Sequence, residues 1–382
     1  MAAVRILVVD VGTGTQDILL FDSTQAIENS VQMVMPSPTV LAAERVRRAT
    51  ERGEPIVLTG VTAGGGPSMW AVEDHLRAGQ PVHATPLAAQ SFDDDLDRIR
   101  AMGIRLIDQA EAARLDGATR IELRDFYYEP ILAALAAFGV EPRLDAVAVA
   151  VFDHGAAPPG ESDRKFRFRY LAETLERDRA SAVDATRGAG DGLAAFAHRR
   201  GSIPASMTRM ASVARTVPPE LPLVVMDTGP AAALGALEDP GVRRQDPLMV
   251  VNVGNFHCLA FHFEGGRVVG LFEHHTGELT PDELVSYLDR LGRGVLTSQE
   301  VFEDMGHGAI VWPRLHGRPR FCAVTGPRRA MLRRTRLDPY FAVPHGDMML
   351  AGCFGLLRAS ASRMPEWGEE IRRGLDGTVH LA

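Results

Sequence analysis

Residues 4–22 read Val4-Arg5-Ile6-Leu7-Val8-Val9-Asp10-Val11-Gly12-Thr13-Gly14-Thr15-Gln16-Asp17-Ile18-Leu19-Leu20-Phe21-Asp22. A run of β-branched and aliphatic residues, Val4 to Val9, ends in Asp10. The chain turns through Gly12 to Thr15 and resumes as Ile18 to Phe21. Two apolar runs around a Gly/Thr turn predict a strand, a tight turn and a second strand pairing back on the first. The glycines Gly12 and Gly14 let backbone N–H groups approach an anion, and the hydroxyls of Thr13 and Thr15 add donors. Asp10, at the strand's end, can face a hydrated metal ion. This is the chemistry of a turn that holds phosphate.

Working outward, 382 residues are enough for two lobes. A hydrophobic content of 46% with 24% charged residues is ordinary for a globular chain. The net charge of −8 disfavours nonspecific binding to nucleic acid or an anionic membrane. No stretch is long and apolar enough to span a bilayer and no signal peptide is evident, so a cytoplasmic protein is expected. The three cysteines, Cys258, Cys322 and Cys353, lie far apart with no C-x-x-C, which leaves iron–sulfur, zinc-ribbon and disulfide-framework readings unsupported. The single lysine, Lys165, is not in a G-K-[ST] context, so a Walker A loop is excluded.

Along the first half, residues 36–52 read as a helix ended by Gly53, and Ile56 to Leu58 as a short strand. The Gly64-Gly65-Gly66-Pro67 turn runs into an amphipathic stretch from Ser68. Such a turn can bind an anion at a helix N-terminus or simply join two elements. Residues 93–102 read as a charged helix and residues 126–138 as an apolar one. Ala146 to Phe152 is a buried strand by its continuous apolar character, followed by Asp153-His154-Gly155, a position where ligands sit in α/β sheets. Residues 184–195 contain Gly188-Ala189-Gly190-Asp191, which looks like the anion-hole motif of ribokinase-type kinases. The extra Arg187 and the long chain that follows depart from that pattern, so the segment reads as a helix start.

The second half supplies matching patterns. Residues 223–237 are a strand, a polar break at Asp227-Thr228-Gly229 and a small-residue helix. Residues 248–263 are a second strand–turn–strand hairpin around Gly254-Asn255, with Asn252 where the first hairpin has Asp10. Residues 321–332 run from a strand into Thr325-Gly326-Pro327-Arg328, and residues 344–361 form a second Ala/Gly-rich helix. The two small-residue helices can cross tightly.

Taken in order, these five segments resemble the motifs of the actin, sugar-kinase and heat-shock-chaperone ATPase superfamily. They match its first phosphate turn, first connecting helix, second phosphate turn, adenosine motif and closing helix. The resemblance implies an α/β, two-lobed actin-like (ribonuclease H-like) fold with a nucleotide cleft between lobes. The first lobe would take residues 1–240, with 345–382 returning to it, and the second residues 241–344. ATP and Mg²⁺ are the implied cofactors. Gly12, Thr13, Gly14, Thr15, Gly254 and Asn255 would clamp phosphates, Asp10 would order the metal, and Gly326 with Arg328 would border the adenosine. Asp10, Asp153 and Asp227 are the candidate catalytic carboxylates, and Glu273 is a possible replacement carboxylate. An amide at Asn252 has no charge and cannot serve as a base.

A narrower resemblance rests on Gln16-Asp17, the Gly64 to Pro67 turn, Asp153-His154-Gly155 and Glu273-His274-His275-Thr276-Gly277. It is to a prokaryotic family labelled pyruvate formate-lyase activating enzyme-like. An activating enzyme of that class uses C-x-x-x-C-x-x-C, and three scattered cysteines cannot build it. Among the histidines, His257 follows the second turn and could touch phosphate or substrate. His274 and His275 point to opposite sides of an extended segment, and His262 reads as structural. The expected activity is slow ATP hydrolysis that changes the lobe angle. Alternatives are a small-molecule kinase of the same fold, with Asp153 as base, and a nucleotide sensor without hydrolysis. The partner beyond nucleotide would be a small-molecule substrate or a protein client.

Overall fold

The computed structural model describes residues 3–181, 190–314 and 317–377. β1 (Arg5–Val11) and β2 (Thr15–Asp22) form an antiparallel hairpin that continues into β3 (Val31–Pro36). Both β1 and β2 are buried along nearly their whole length. That is why they read as apolar runs rather than as alternating strands.

The chain then leaves this sheet. Helix Pro38–Arg52 starts at Ser37, whose hydroxyl accepts the Val40 N–H, and stops at Gly53 in the left-handed region (φ 67°). Beyond it lies a separate parallel sheet of β4 (Ile56–Gly60), β5 (Val82–Ala84), β6 (Arg105–Leu106) and β7 (Thr119–Leu123), ordered β6-β5-β4-β7. It has its own apolar core, including Ile56, Leu58, Ile99 and Ile121. Sequence reading found its first strand but not the sheet. β5 and β6 have three and two residues, too few to show a period.

β8 (Ala146–Val151) returns to lie parallel to β1, β9 (Ala197–Arg199) forms an edge, and β10 (Leu223–Asp227) pairs with both β8 and β9. The first sheet is thus ordered β3-β2-β1-β8-β10-β9. Residues 182–189, with most of the Gly188–Asp191 motif, lie outside the described residues. Asp191–Phe196 form a short 3₁₀ turn rather than the start of an α-helix.

A second meander follows: β11 (Leu248–Val253), β12 (His257–Glu264) and β13 (Arg267–His275), with β14 (Gly308–Val311) on its edge. β15 (Phe321–Thr325) lies parallel to β11, and β16 (Tyr340–Phe341) parallel to β15. The order β13-β12-β11-β15-β16 repeats β3-β2-β1-β8-β10. The repeat extends to single bonds. The Gly12 N–H donates to the Thr15 carbonyl at 2.9 Å, and the Gly254 N–H to the His257 carbonyl at 2.9 Å. Three antiparallel strands followed by two parallel ones make a ribonuclease H-like unit, and two such units make the two-lobed actin-like fold.

Helix Thr228–Ala236 crosses helix Ala351–Arg363 with backbone against backbone. A Cβ on Gly235 would lie 1.6 Å from the Ala351 carbonyl oxygen, and one on Gly355 would lie 1.9 Å from that of Ala231. Only glycine fits at either position. Among the described residues, no helix is long and apolar enough to cross a membrane.

Candidate functional site

The two repeated hairpins turn toward each other across a cavity of about 570 Å³. Asp10, Gly12, Thr13 and Thr15 line it from the first sheet, and Asn252, Gly254, Asn255 and Gly326 from the second. A Cβ on Gly14 would come within 2.6 Å of the Asn255 amide nitrogen, so the turns are in direct contact. The inserted parallel sheet adds a third glycine turn. Gly66, at φ 54°, stands within 3.5 Å of the Thr13 methyl and 3.7 Å of the Phe256 ring, measured from an ideal Cβ. The Gly64 N–H donates to Asp125 at 2.9 Å, and Arg209 pairs with both oxygens of Asp125 at 2.9 Å. Three glycine turns, with the Thr13 and Thr15 hydroxyls, around a volume of ligand size can receive a polyanion.

Beside the first turn, Asp10 and Asp17 are directly opposite in the β1–β2 register and share one face. Burial pushes the Asp10 carboxyl up to about 7, opposed by the Thr228 hydroxyl, which donates at 2.6 Å. Burial also pushes Asp17 up to about 8, with repulsion from Asp10 adding to it. One Asp17 oxygen has no hydrogen-bond partner. A buried carboxylate pair with an unpartnered oxygen is a donor set that suits a hard cation such as Mg²⁺. A Cβ on Gly352 would lie 1.7 Å from an Asp10 oxygen, so the helix at Ala351 can approach this pair only as glycine.

The other candidate carboxylates sit elsewhere. Asp227 does not line the cavity. It is fully buried, accepts from Arg167 at 2.7 and 3.2 Å, and caps the following helix through the Gly229 N–H at 3.0 Å. Glu273 is likewise fully buried against Arg167 at 2.8 Å and does not line the cavity. Asp153 reaches the cavity wall, but its two oxygens accept the Gly155 and Met210 N–H groups, both at 2.9 Å. Arg328 is exposed; its backbone N–H donates to the Val253 carbonyl and its own carbonyl accepts the Met331 N–H.

Arg167 is the residue that sequence reasoning missed. Its guanidinium is fully buried, bonded to Asp227, Glu273 and the Asp153 carbonyl, and lies 3.6 Å above the Phe152 ring. It ties the ends of β8 and β10 in the first repeat to β13 in the second. The only signal was Arg167 within the charged run 163–179, where a solvated helix face was the natural reading. His307 was missed as well. It meets His154, His257 and His275, with ring centroids 4.6–5.9 Å apart.

Residues 63–331, from the third glycine turn to beyond β15, match the model of the family described as "Putative pyruvate format-lyase activating enzyme (DUF1786)". The chain belongs to this family. Cys258 on β12, Cys322 on β15 and Cys353 on the helix at Ala351 are all free thiols, and the sequence holds no C-x-x-x-C-x-x-C for the chemistry in that description. No curated protein matches the chain.

Among solved structures the chain is similar to an exopolyphosphatase-like protein, at 9% identity over 85% of this chain and 66% of that one, with a TM-score of 0.30. It is also similar to the ROK hexokinase from Thermus thermophilus, at 11% identity over 69% of this chain and 48% of that one, with a TM-score of 0.24. A third similarity is to the Ppx/GppA family member of Aquifex aeolicus, at 10% identity, 100% and 89% coverage and a TM-score of 0.27. The chain spans just under two thirds of the exopolyphosphatase-like protein and about half of the hexokinase.

Proposed function

We propose that this protein binds ATP with Mg²⁺ in the cleft between its two repeated sheets and hydrolyses it slowly, with the lobe angle following the nucleotide state. One observation carries the reading: two glycine hairpin turns from separate sheets, each closed by the same N–H to carbonyl bond, meet in one cavity. A triphosphate chain is the ligand class that uses two such turns at once. Asp10 and Asp17 would hold the Mg²⁺, which when bound neutralises phosphate charge. Gly326, at φ 96°, leaves the backbone bare beside Asn252 for the nucleoside end.

Asp227 is committed to Arg167 and Asp153 to two backbone N–H groups. Beside the first turn, Asp10 and Asp17 are therefore the carboxylates free to orient water. Neither has a neutral imidazole or a second base bonded to it, which fits slow turnover. The same saturation of Asp153 argues against phosphoryl transfer with Asp153 as base.

The test is calorimetry of the full chain with Mg²⁺-ATP, with ADP release followed in the same sample. A Cβ at Gly254 would lie 2.7 Å from the His257 carbonyl oxygen, so Gly254→Val must distort the turn. Wild-type binding with slow release, and an affinity loss of at least ~10-fold in Gly254→Val, is the expected result. Unchanged affinity in the variant refutes the role of the turn. Binding without release would assign a nucleotide sensor and tie the lost turnover to Asn252.

A further inference from the structure

Four histidines face one another at the cleft, His154 from the end of the first sheet and His257, His275 and His307 from the second. Three of them, His154, His257 and His307, bring ligand-capable nitrogens within 4.8 Å of one another. They come from three separate places: His154 just past β8, His257 at the start of β12, and His307 just before β14. Packing of a sheet edge does not by itself require three imidazoles to converge. The His257 Nε2 and both His307 nitrogens are buried and have no hydrogen-bond partner. Leaving such groups unbonded costs stability unless something else takes their lone pairs.

The protonation state suits a ligand role. Burial pushes His154 down to about 3 and drives His257 and His307 below their ordinary value, with neighbouring cations adding to the effect. The imidazoles are therefore neutral near pH 7, and no proton has to leave before coordination. The nearby cations are spoken for. Arg167 pairs with Asp227 and Glu273, Arg209 with Asp125, and Arg164 donates to the Phe302 and Gly306 carbonyls. The fourth ring, His275, has its Nδ1 on the Met305 carbonyl at 2.8 Å and stands beside the trio.

We infer that His154, His257 and His307 bind a divalent first-row transition ion of the zinc class, at a site separate from the Asp10–Asp17 pair. Three imidazoles with no carboxylate in the set select Zn²⁺, Co²⁺, Ni²⁺ or Cu²⁺ and discriminate against Mg²⁺. Coordination at ~2.0–2.1 Å would hold the nitrogens about 3.3 Å apart, so the rings close by at most about 1.5 Å on binding. His154 and His257 line the cavity, so an open fourth position would face the cleft. The inference concerns metal uptake alone and does not depend on ATP binding.

The experiment is Co²⁺ titration of the chelator-stripped full chain without nucleotide, read by visible absorption and then competed with Zn²⁺. One Co²⁺ per chain with intense d–d bands of four- or five-coordination, displaced by Zn²⁺ but not by excess Mg²⁺, is expected. Loss of an outer partner of a metal-bound histidine typically costs 10–100-fold in affinity, so loss of a ligand in His257→Gln or His307→Gln should cost about 100-fold or more. Asp10→Asn should leave Co²⁺ uptake unchanged. No uptake by the wild-type chain, weak bands of an octahedral ion, or equal uptake by both histidine variants overturns the inference. The wild-type spectrum alone decides the matter if a variant fails to fold.

Discussion

Replacing Arg167 by methionine keeps an unbranched apolar stem and removes the guanidinium with its charge. Asp227 and Glu273, both fully buried, would then face each other with no counter-charge, and the Asp153 carbonyl would lose its donor. Breaking a buried pair by removing one partner costs ~3–5 kcal/mol. The orphaned carbonyl adds about 1 kcal/mol. Against a total stability of ~5–15 kcal/mol, this variant should sit near the edge of folding. The loss should also depend on pH. Burial already raises the Glu273 carboxyl from its ordinary 4.5 to about 7 despite the opposing pull of Arg167. A raised carboxyl favours the folded state when protonated, so its cost is absent below about 4.5 and complete above about 7. Without Arg167 the folded value rises further and the cost keeps growing above 7. Urea denaturation followed by circular dichroism should therefore show a smaller deficit at pH 5.5 than at pH 8. Adding Asp227→Asn and Glu273→Gln to Arg167→Met should recover part of the loss. A deficit below about 1 kcal/mol at pH 8, an equal deficit at both pH values, or no recovery in the triple variant would refute the buried ion-pair account.

Two further perturbations test the hinge and the carboxylate pair. Gly235→Ala puts a methyl group 1.6 Å from the Ala351 carbonyl, so the helices must part. The overpacking should cost about 3 kcal/mol, with about 1 returned by helix propensity. Gly201→Ala, where nothing lies within 4 Å, should leave the melting temperature nearly unchanged. Asp17→Asn should raise the melting temperature at pH 8 in a metal chelator. Asp17 is raised from 3.8 to about 8, so its charged form costs stability progressively across that range, and the advantage should vanish below pH 4. The same variant should lose the extra stabilisation that Mg²⁺ gives in the presence of ATP, and retention of that stabilisation would remove Asp17 from the metal set.

What could be read in the sequence follows from how local each signal is. The first hairpin is written in adjacent residues, an apolar run, a Gly/Thr turn and a second run, and the second hairpin repeats it. Gly12, Thr13, Thr15, Gly254, Asn255 and Gly326 line one cavity, Gly14 packs against Asn255 instead, and Arg328 is exposed. The tight crossing of the two small-residue helices could be read because close approach demands alanine and glycine, but that pattern does not single out the contact glycines Gly235 and Gly355. Arg167 could not be. A buried arginine and a solvated one look alike until their partners are known, and here those stand 60 and 106 residues away. Asp227 misled for the same reason, since a carboxylate at a strand's end serves a ligand or a neighbouring cation equally well. The inserted parallel sheet escaped because β5 and β6, at three and two residues, are too short to show a period.

The two repeats keep the backbone of the glycine turn and change what hangs from it. Gly12 and Gly254 stand at matching points, each followed three residues later by the carbonyl its N–H reaches. The backbone bond is needed in both halves, so its glycine recurs. Asp10 corresponds to Asn252, and the position opposite each in its hairpin is Asp17 in one half and Leu259 in the other. Thr15 corresponds to His257. One turn is therefore flanked by two carboxylates, and its counterpart by an amide and a cluster of imidazoles. Charge for a hard cation is concentrated on one wall of the cleft, while neutral nitrogen donors are concentrated on the other. If the same ligand were held identically by both halves, this asymmetry would waste a buried, unpartnered oxygen on Asp17 and three unbonded ring nitrogens on His257 and His307. On the proposed reading, the halves would share a phosphate chain through their backbones and divide the remaining chemistry between their side chains.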